Sequence, residues 1–198
     1  MGTVDVYLGL ATEISDPAAL VIGVDHGALL CARNKVRMIL ALGDFDSVNS
    51  MELEAIKGYA DQVISLPSHK NQTDSEALLP YLENYERINM YGGLGGRLDH
   101  ELINLELCKR DSRLHLWNKT NHIFSLGQGR YSLEREDCHY LSILALEPSV
   151  ITTEQVLYPV VKRSITTADL YLTSNEFVDQ DALITVHSGR ILVLITRD

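Results

Sequence analysis

The sequence predicts two kinds of architecture in one chain: an open, mostly parallel α/β domain followed by an antiparallel β-sandwich. Three observations carry that expectation. Short, nearly all-apolar runs alternate with helical stretches in the first half, the pattern of a parallel sheet covered on both faces. After about Asn118 the texture changes to period-two alternation with no long helix. Between the first-half runs and their helices sit clusters of acids and glycines, where an open α/β sheet exposes its carboxyl ends.

The predicted strands of the first half are VDVYLGLA (4–11), LVIGVD (20–25), VRMILALGD (36–44), DQVISL (61–66), RINMYGG (87–93) and RLHLWN (113–118). TDSEALLPYLENYE (73–86) opens on a capping box, Thr73 with Glu76, and carries Ala77, Leu78, Tyr81, Leu82 and Tyr85 on one helical stripe. Pro80 predicts a kink or an early break inside it. A second helix, DHELINLELCK (99–109), follows a glycine cluster with Asp99 as its expected cap. In the second half RYSLE (130–134), HYLSILAL (139–146), ALITVH (182–187) and RILVLIT (190–196) read as strands. The expected division is 1–120 and 121–198.

A chain of 198 residues with a formal net charge of -10 has room for a core in each part. That charge argues against nucleic acid or an anionic membrane as the main partner, because both carry negative phosphates. Cys31, Cys108 and Cys138 are odd in number and far apart, which disfavours a disulfide framework and a thiolate metal site; they read as reduced packing residues of a cytoplasmic protein. No signal stretch and no membrane-length apolar run is read.

Four polar clusters fall at predicted strand ends: VDHGA, GDFDS, SHKNQTD and GGLGGRLDH. Any one of them has a structural explanation. Asp44 and Asp46 serve as well in a turn and a helix cap, Asp74 and Asp99 as caps, and His69 and His115 as surface or packed imidazoles. Their repetition at successive strand ends brings Asp25, Asp44, Asp46, Asp74 and Asp99 toward one crevice, too many acids to gather without divalent cations. Oxygen donors without thiolates suit magnesium, which uses one or two carboxylates plus phosphates and water. The glycines from Gly92 to Gly96 allow close approach to phosphates, with Lys70 and Arg97 as their cations.

Some motifs fail. GGLGGRL lacks the GxGxxG spacing, no GK[ST] is present, and HELIN has Asn104 where a zinc-protease motif has its second histidine. DFDSV is similar to the DxDx[TV] loop of haloacid-dehalogenase-like phosphatases, which leaves open a magnesium phosphohydrolase with Asp44 as nucleophile.

In order, VDHGA, GDFDS, KNQTD, GGLGGRLDH with Asn104, and LTSNEF (172–177) resemble the motif series of the thiamin pyrophosphokinase family. The resemblance implies a nucleotide-binding α/β domain, a thiamin-binding β-sandwich, and a homodimer with the active site shared across its interface. It implies transfer of a pyrophosphoryl group from ATP to the hydroxyl of thiamin, with release of AMP. Asp44, Asp46, Asp74 and Asp99 are the implied catalytic and magnesium-binding residues. Asp25, Ser47, Lys70, Gln72, Thr73, Gly93, Gly95, Gly96 and Arg97 are implied for ATP, and His100, Asn104, Ser174 and Asn175 for thiamin. A non-catalytic sensor of nucleotide or thiamin phosphate is the other alternative. His26 stands where the family commonly has glycine, and Trp117, the single tryptophan, precedes the second half. An aromatic stacked on thiamin is then Tyr158, Tyr171, Phe177 or none.

Overall fold

The computed structural model describes residues 2–14, 16–67, 71–135 and 137–198, so His69 and Lys70 lie outside the described residues. The chain divides into two compact units. The first runs to Leu107 and includes Leu116–Asn118; the second comprises Cys108–His115 and Lys119–Asp198.

The first unit is built on β1 (Thr3–Tyr7), β2 (Val21–Val24), β3 (Leu40–Gly43), β4 (Val63–Ser65) and β5 (Arg87–Tyr91). They pair in parallel in the order β5-β1-β2-β3-β4. Their near-continuous apolar character has the expected reason: β2 and β3 are buried along their whole length. The helices are α1 (His26–Arg33), α2 (Ser50–Tyr59), α3 (Asp74–Leu78) and α4 (Leu98–Arg110). Asn49 and Glu52 close a capping box at α2, and Thr73 and Glu76 close the expected one at α3. The Pro80 prediction also holds, because α3 stops at Leu78 and the chain tightens into a 3-10 turn over Leu79–Leu82. Strand β6 (Leu114–Trp117) straddles the division between the units.

Two expectations need correction. No helix lies between β1 and β2 among the described residues. The connection is instead tied to the sheet by Asp5, which is 3% exposed. Its Oδ2 accepts the Ala18 N–H at 2.7 Å, and its Oδ1 accepts the Asn89 amide at 2.9 Å. A buried carboxylate is tolerable only with such donors. Asp99 is not a helix cap: α4 already begins at Leu98, so Asp99 lies in its first turn.

The second unit holds β7 (Asn121–Leu126), β8 (Gly129–Glu134), β9 (Tyr140–Ala145), β10 (Ser149–Glu154), β11 (Arg163–Ile165), β12 (Asn175–Glu176), β13 (Asp181–Ser188) and β14 (Ile191–Thr196). All pair antiparallel, in the orders β12-β9-β14-β7 and β11-β10-β13-β8. One core joins the two arrays: Phe124, Leu141, Ile143 and Val193 from the first pack with Leu133, Ile151, Ile184 and Val186 from the second. These are the inward positions of period-two strands: along β13, Ala182, Ile184 and Val186 are buried while Leu183, Thr185 and His187 between them are half-buried. The three cysteines are buried and none is in a disulfide. No helix among the described residues is long and apolar enough to cross a membrane.

Candidate active site

From β1 the chain moves outward on one side through β2, β3 and β4, then returns to the other side of β1 as β5. At such a reversal the loops after neighbouring strands part and leave a crevice at the carboxyl ends. A cavity of about 400 Å³ lies there, lined by the segments that follow β1, β2, β3 and β5 and by the start of α3.

The acid pair of GDFDS has a local explanation. Phe45, between the two aspartates, adopts φ 53°, a left-handed conformation unusual for a bulky residue, while its side chain is only 7% exposed and belongs to the core. The ring anchors the turn, leaving Asp44 and Asp46 to line the cavity. Asp44 Oδ1 also accepts the Asp46 N–H at 3.1 Å. Strain of this kind collects at functional sites.

VDHGA is locked to the same turn. The Asp25 N–H donates to Leu42 O at 3.0 Å, and Asp25 Oδ1 lies so close over Gly43 that a Cβ there would come within 1.9 Å of it. Asp25 itself has φ 49°. Two residues further on, Gly27 sits under β1, where a Cβ would fall 2.0 Å from Tyr7 O. Burial first, and then the Asp74 carboxylate, push the Asp25 carboxyl up to about 6, with the Phe45 N–H opposing the rise.

That raised value sets a pH dependence. The ionised form of Asp25 is disfavoured by folding, so its contribution to stability is most favourable below the ordinary carboxyl range and declines as pH rises from about 4 to about 6. In metal-free buffer, Asp25→Asn is expected to raise the melting temperature at pH 7 by about 2–4 °C, the shift for roughly 1 kcal/mol in a chain of this size. The gain should vanish near pH 4. A variant equally stabilised at both pH values, or destabilised at pH 7, contradicts this account.

The glycine cluster forms a loop held by α4. Asn104, 6% exposed, donates from Nδ2 to Gly93 O at 2.8 Å. One turn earlier, Glu101 Oε2 accepts the Gly95 N–H at 3.1 Å, and Gly95 has φ 90°, a conformation suited to glycine. Arg97 forks onto Asp99, Nε to Oδ1 at 3.1 Å and Nη2 to Oδ2 at 2.6 Å. The guanidinium's hydrogen bonds hold the Asp99 carboxyl down at about 2.

Ten of the expected residues line the cavity together: Asp25, Asp44, Asp46, Ser47, Asp74, Gly93, Gly96, Arg97, His100 and Asn104. Asp99 and Gly95 do not; Gln72 is exposed, and the Thr73 hydroxyl is taken up in the α3 capping box. Ser174 and Asn175 belong to the second unit. There Ser174 has φ 56° and donates its N–H to Ser142 Oγ at 2.9 Å. The Asn175 amide brackets the backbone of Tyr158, accepting its N–H and donating to its carbonyl, both at 2.9 Å. Leu8, Gly9, Leu10, Ser75 and Glu101 line the cavity without having been anticipated. The first three follow β1, so reading every strand end alike would have found them; Glu101 carried no signal beyond that of an ordinary helix acid. His26, the residue at the glycine position of the motif, lines the cavity as well.

Fold and site together define an α/β enzyme whose pocket lies at the carboxyl edge of a parallel sheet, followed in sequence by an antiparallel β unit. The model of the thiamin pyrophosphokinase catalytic domain matches residues 11–118, and that of the thiamin pyrophosphokinase vitamin B1 binding domain matches residues 130–191. A thiamine pyrophosphokinase of Bacillus subtilis (strain 168) is 29% identical over 196 residues, 94% of this chain and 92% of the relative. The crystal structure of thiamine pyrophosphokinase from Bacillus subtilis superposes with TM-score 0.86 at 26% identity, covering 99% of each chain. A thiamin pyrophosphokinase family protein from Enterococcus faecalis gives 0.82 at 26% identity over 98% of this chain and 99% of that one. The chain belongs to the thiamin pyrophosphokinase family of enzymes.

Proposed function

We propose that this chain transfers the pyrophosphoryl group of ATP to the hydroxyl of thiamin, giving thiamin diphosphate and AMP, in a magnesium-dependent reaction. The observation that carries this reading is the convergence of Asp25, Asp44, Asp46 and Asp74 with the glycine loop and Arg97 on one cavity of a chain of this family. The thiamin oxygen attacks the β-phosphorus, the bond from that phosphorus to the α,β-bridging oxygen breaks, and AMP leaves with the bridging oxygen. The hydroxyl proton passes to a base.

The donor set fits magnesium. Among the described residues no three or more His, Cys, Asp or Glu side chains form a ready metal cluster, and magnesium asks for less, taking one or two carboxylates with phosphate oxygens and water. Asp44 and Asp46 are the proposed holders, with Asp74 nearby. Magnesium bound there would neutralise charge on the β- and γ-phosphates. The backbone of the glycine loop and Arg97 orient the polyphosphate, and His100 and Asn104 lie on the same wall for thiamin. Asp74 is the better candidate for the base, because it lines the cavity whereas Asp99 does not and is held by Arg97. We place the protein in the cytoplasm as a homodimer, with Ser174 and Asn175 of a partner completing the thiamin site. A monomer at assay concentration would exclude that arrangement.

The deciding experiment follows ATP over time with and without thiamin. AMP formation that depends strictly on thiamin and on magnesium is expected. Thiamin-independent phosphate release, with phosphate trapped on Asp44, points to the phosphohydrolase, and binding without turnover to a sensor.

A further inference from the structure

In the glycine loop, two groups suited to receiving an anion already hold one from the protein itself. The Gly95 N–H donates to Glu101 Oε2 at 3.1 Å, and the Arg97 guanidinium forks onto both oxygens of Asp99. To an N–H or a guanidinium, a carboxylate oxygen and a phosphate oxygen are the same kind of acceptor. The geometry points to Glu101 and Asp99 as internal stand-ins for substrate phosphate, an inference that rests on the assignment of this loop to the phosphates of ATP. They hold the loop in its phosphate-accepting shape when nucleotide is absent and surrender their donors when it enters. Glu101 thereby sets nucleotide affinity as a positioning and competing residue.

Three features support an exchange rather than a fixed brace. Glu101 lines the cavity alongside Asp25, Asp44, Asp46 and Asp74, so its charge sits where a polyanion must arrive and opposes it unless the side chain swings away. The Gly95 N–H bond and the Arg97 pair are exposed, and contacts of that kind are weak enough to be displaced at little cost. The Glu101 backbone is anchored in α4 through its N–H to Arg97 O at 3.0 Å, so only the side chain has to move. Asn104, one turn along, behaves differently: it is buried and keeps its 2.8 Å bond to Gly93 O, holding the base of the loop while the tip changes partner.

Glu101→Gln tests this, because its amide oxygen can still accept the Gly95 N–H while the competing charge is gone. The dissociation constant of an ATP analogue with a methylene at the α,β bridge is measured by calorimetry in magnesium buffer. Steady-state constants for ATP and thiamin are measured alongside, and Arg97→Ala is carried in parallel. The expected result is analogue binding and a KM for ATP tightened about two- to fivefold, the range of an exposed charge contact, with the gain shrinking at high salt. The KM for thiamin should stay unchanged, a split that a merely structural role would not produce. Unchanged or weaker analogue binding in Glu101→Gln, while Arg97→Ala weakens it, overturns the exchange and leaves the loop's phosphate assignment standing. Unchanged binding in Arg97→Ala overturns both.

Discussion

Asp44→Asn and Asp46→Asn are each expected to lower turnover at least about a hundredfold, the scale of losing one preorganised electrostatic contact to a transition state. The melting temperature should move by no more than about 2 °C, as for surface substitutions outside special features. The separation of the two effects follows from the turn. What holds it is the Phe45 ring in the core, and neither carboxylate is needed there as a charge. An amide oxygen at position 44 can still accept the Asp46 N–H, and Asp46 is exposed. What the amides lose is negative charge toward a cation and its phosphates. The readouts are thiamin-dependent AMP formation over a magnesium titration and a thermal melt. Full activity for both variants at limiting magnesium would remove these residues from the metal site, and unfolding of both would make them parts of the turn.

Two alanine substitutions in neighbouring motifs should part company just as sharply. At Gly27 a Cβ meets the Tyr7 carbonyl oxygen at 2.0 Å and its carbon at 2.5 Å, both backbone atoms of a buried strand that cannot step aside. Gly27→Ala is therefore expected to cost roughly 3 kcal/mol or more, a fall of roughly 10 °C in melting temperature. At Gly43 the nearest atom is instead the Asp25 carboxylate oxygen, the end of a side chain that can rotate. Gly43→Ala should remain folded, with a melting temperature close to the parent, while losing turnover because Asp25 is driven off its position beside Phe45 N and Asp74. Equal loss of stability in both variants would mean that the β3 turn is as rigid as the β1–α1 contact, and retained activity in Gly43→Ala would take Asp25 out of the reaction.

Much of the site was legible because it lies where local rules act. Acids and glycines directly after apolar strands end up together whenever those strands run parallel, so Asp25, Asp44, Asp46, Asp74, Gly93, Gly96 and Arg97 could be gathered without knowing a single angle. The Thr73–Glu76 capping box and the break before Pro80 were legible for the same reason, since both depend only on residues a few positions apart. Leu8, Gly9 and Leu10 were legible in principle by the same strand-end rule and were passed over because they carry no charge.

Asp99 shows where that reasoning stops. As a residue type at a helix start it belongs with the other acids, yet an arginine two positions earlier engages both its oxygens, and Asp99 does not line the cavity. Neighbouring acids in sequence thus separate in space, while Glu101, unremarked as a helix residue, reaches the glycine loop and the cavity.

By itself, then, the sequence determined the alternation that makes a parallel α/β unit, the period-two strands that make an antiparallel one, and the order of the motifs, because periodicity and capping are written within a few residues of chain. Only the tertiary structure decided the strand order that puts β5 against the far side of β1, the use of Asp5 rather than a helix to secure the β1–β2 connection, and the contact of Asp25 with Gly43 and Asp74. Those depend on which distant segments exclude water from one another, and on whether a buried carboxylate meets an N–H, a proton or a cation when they do.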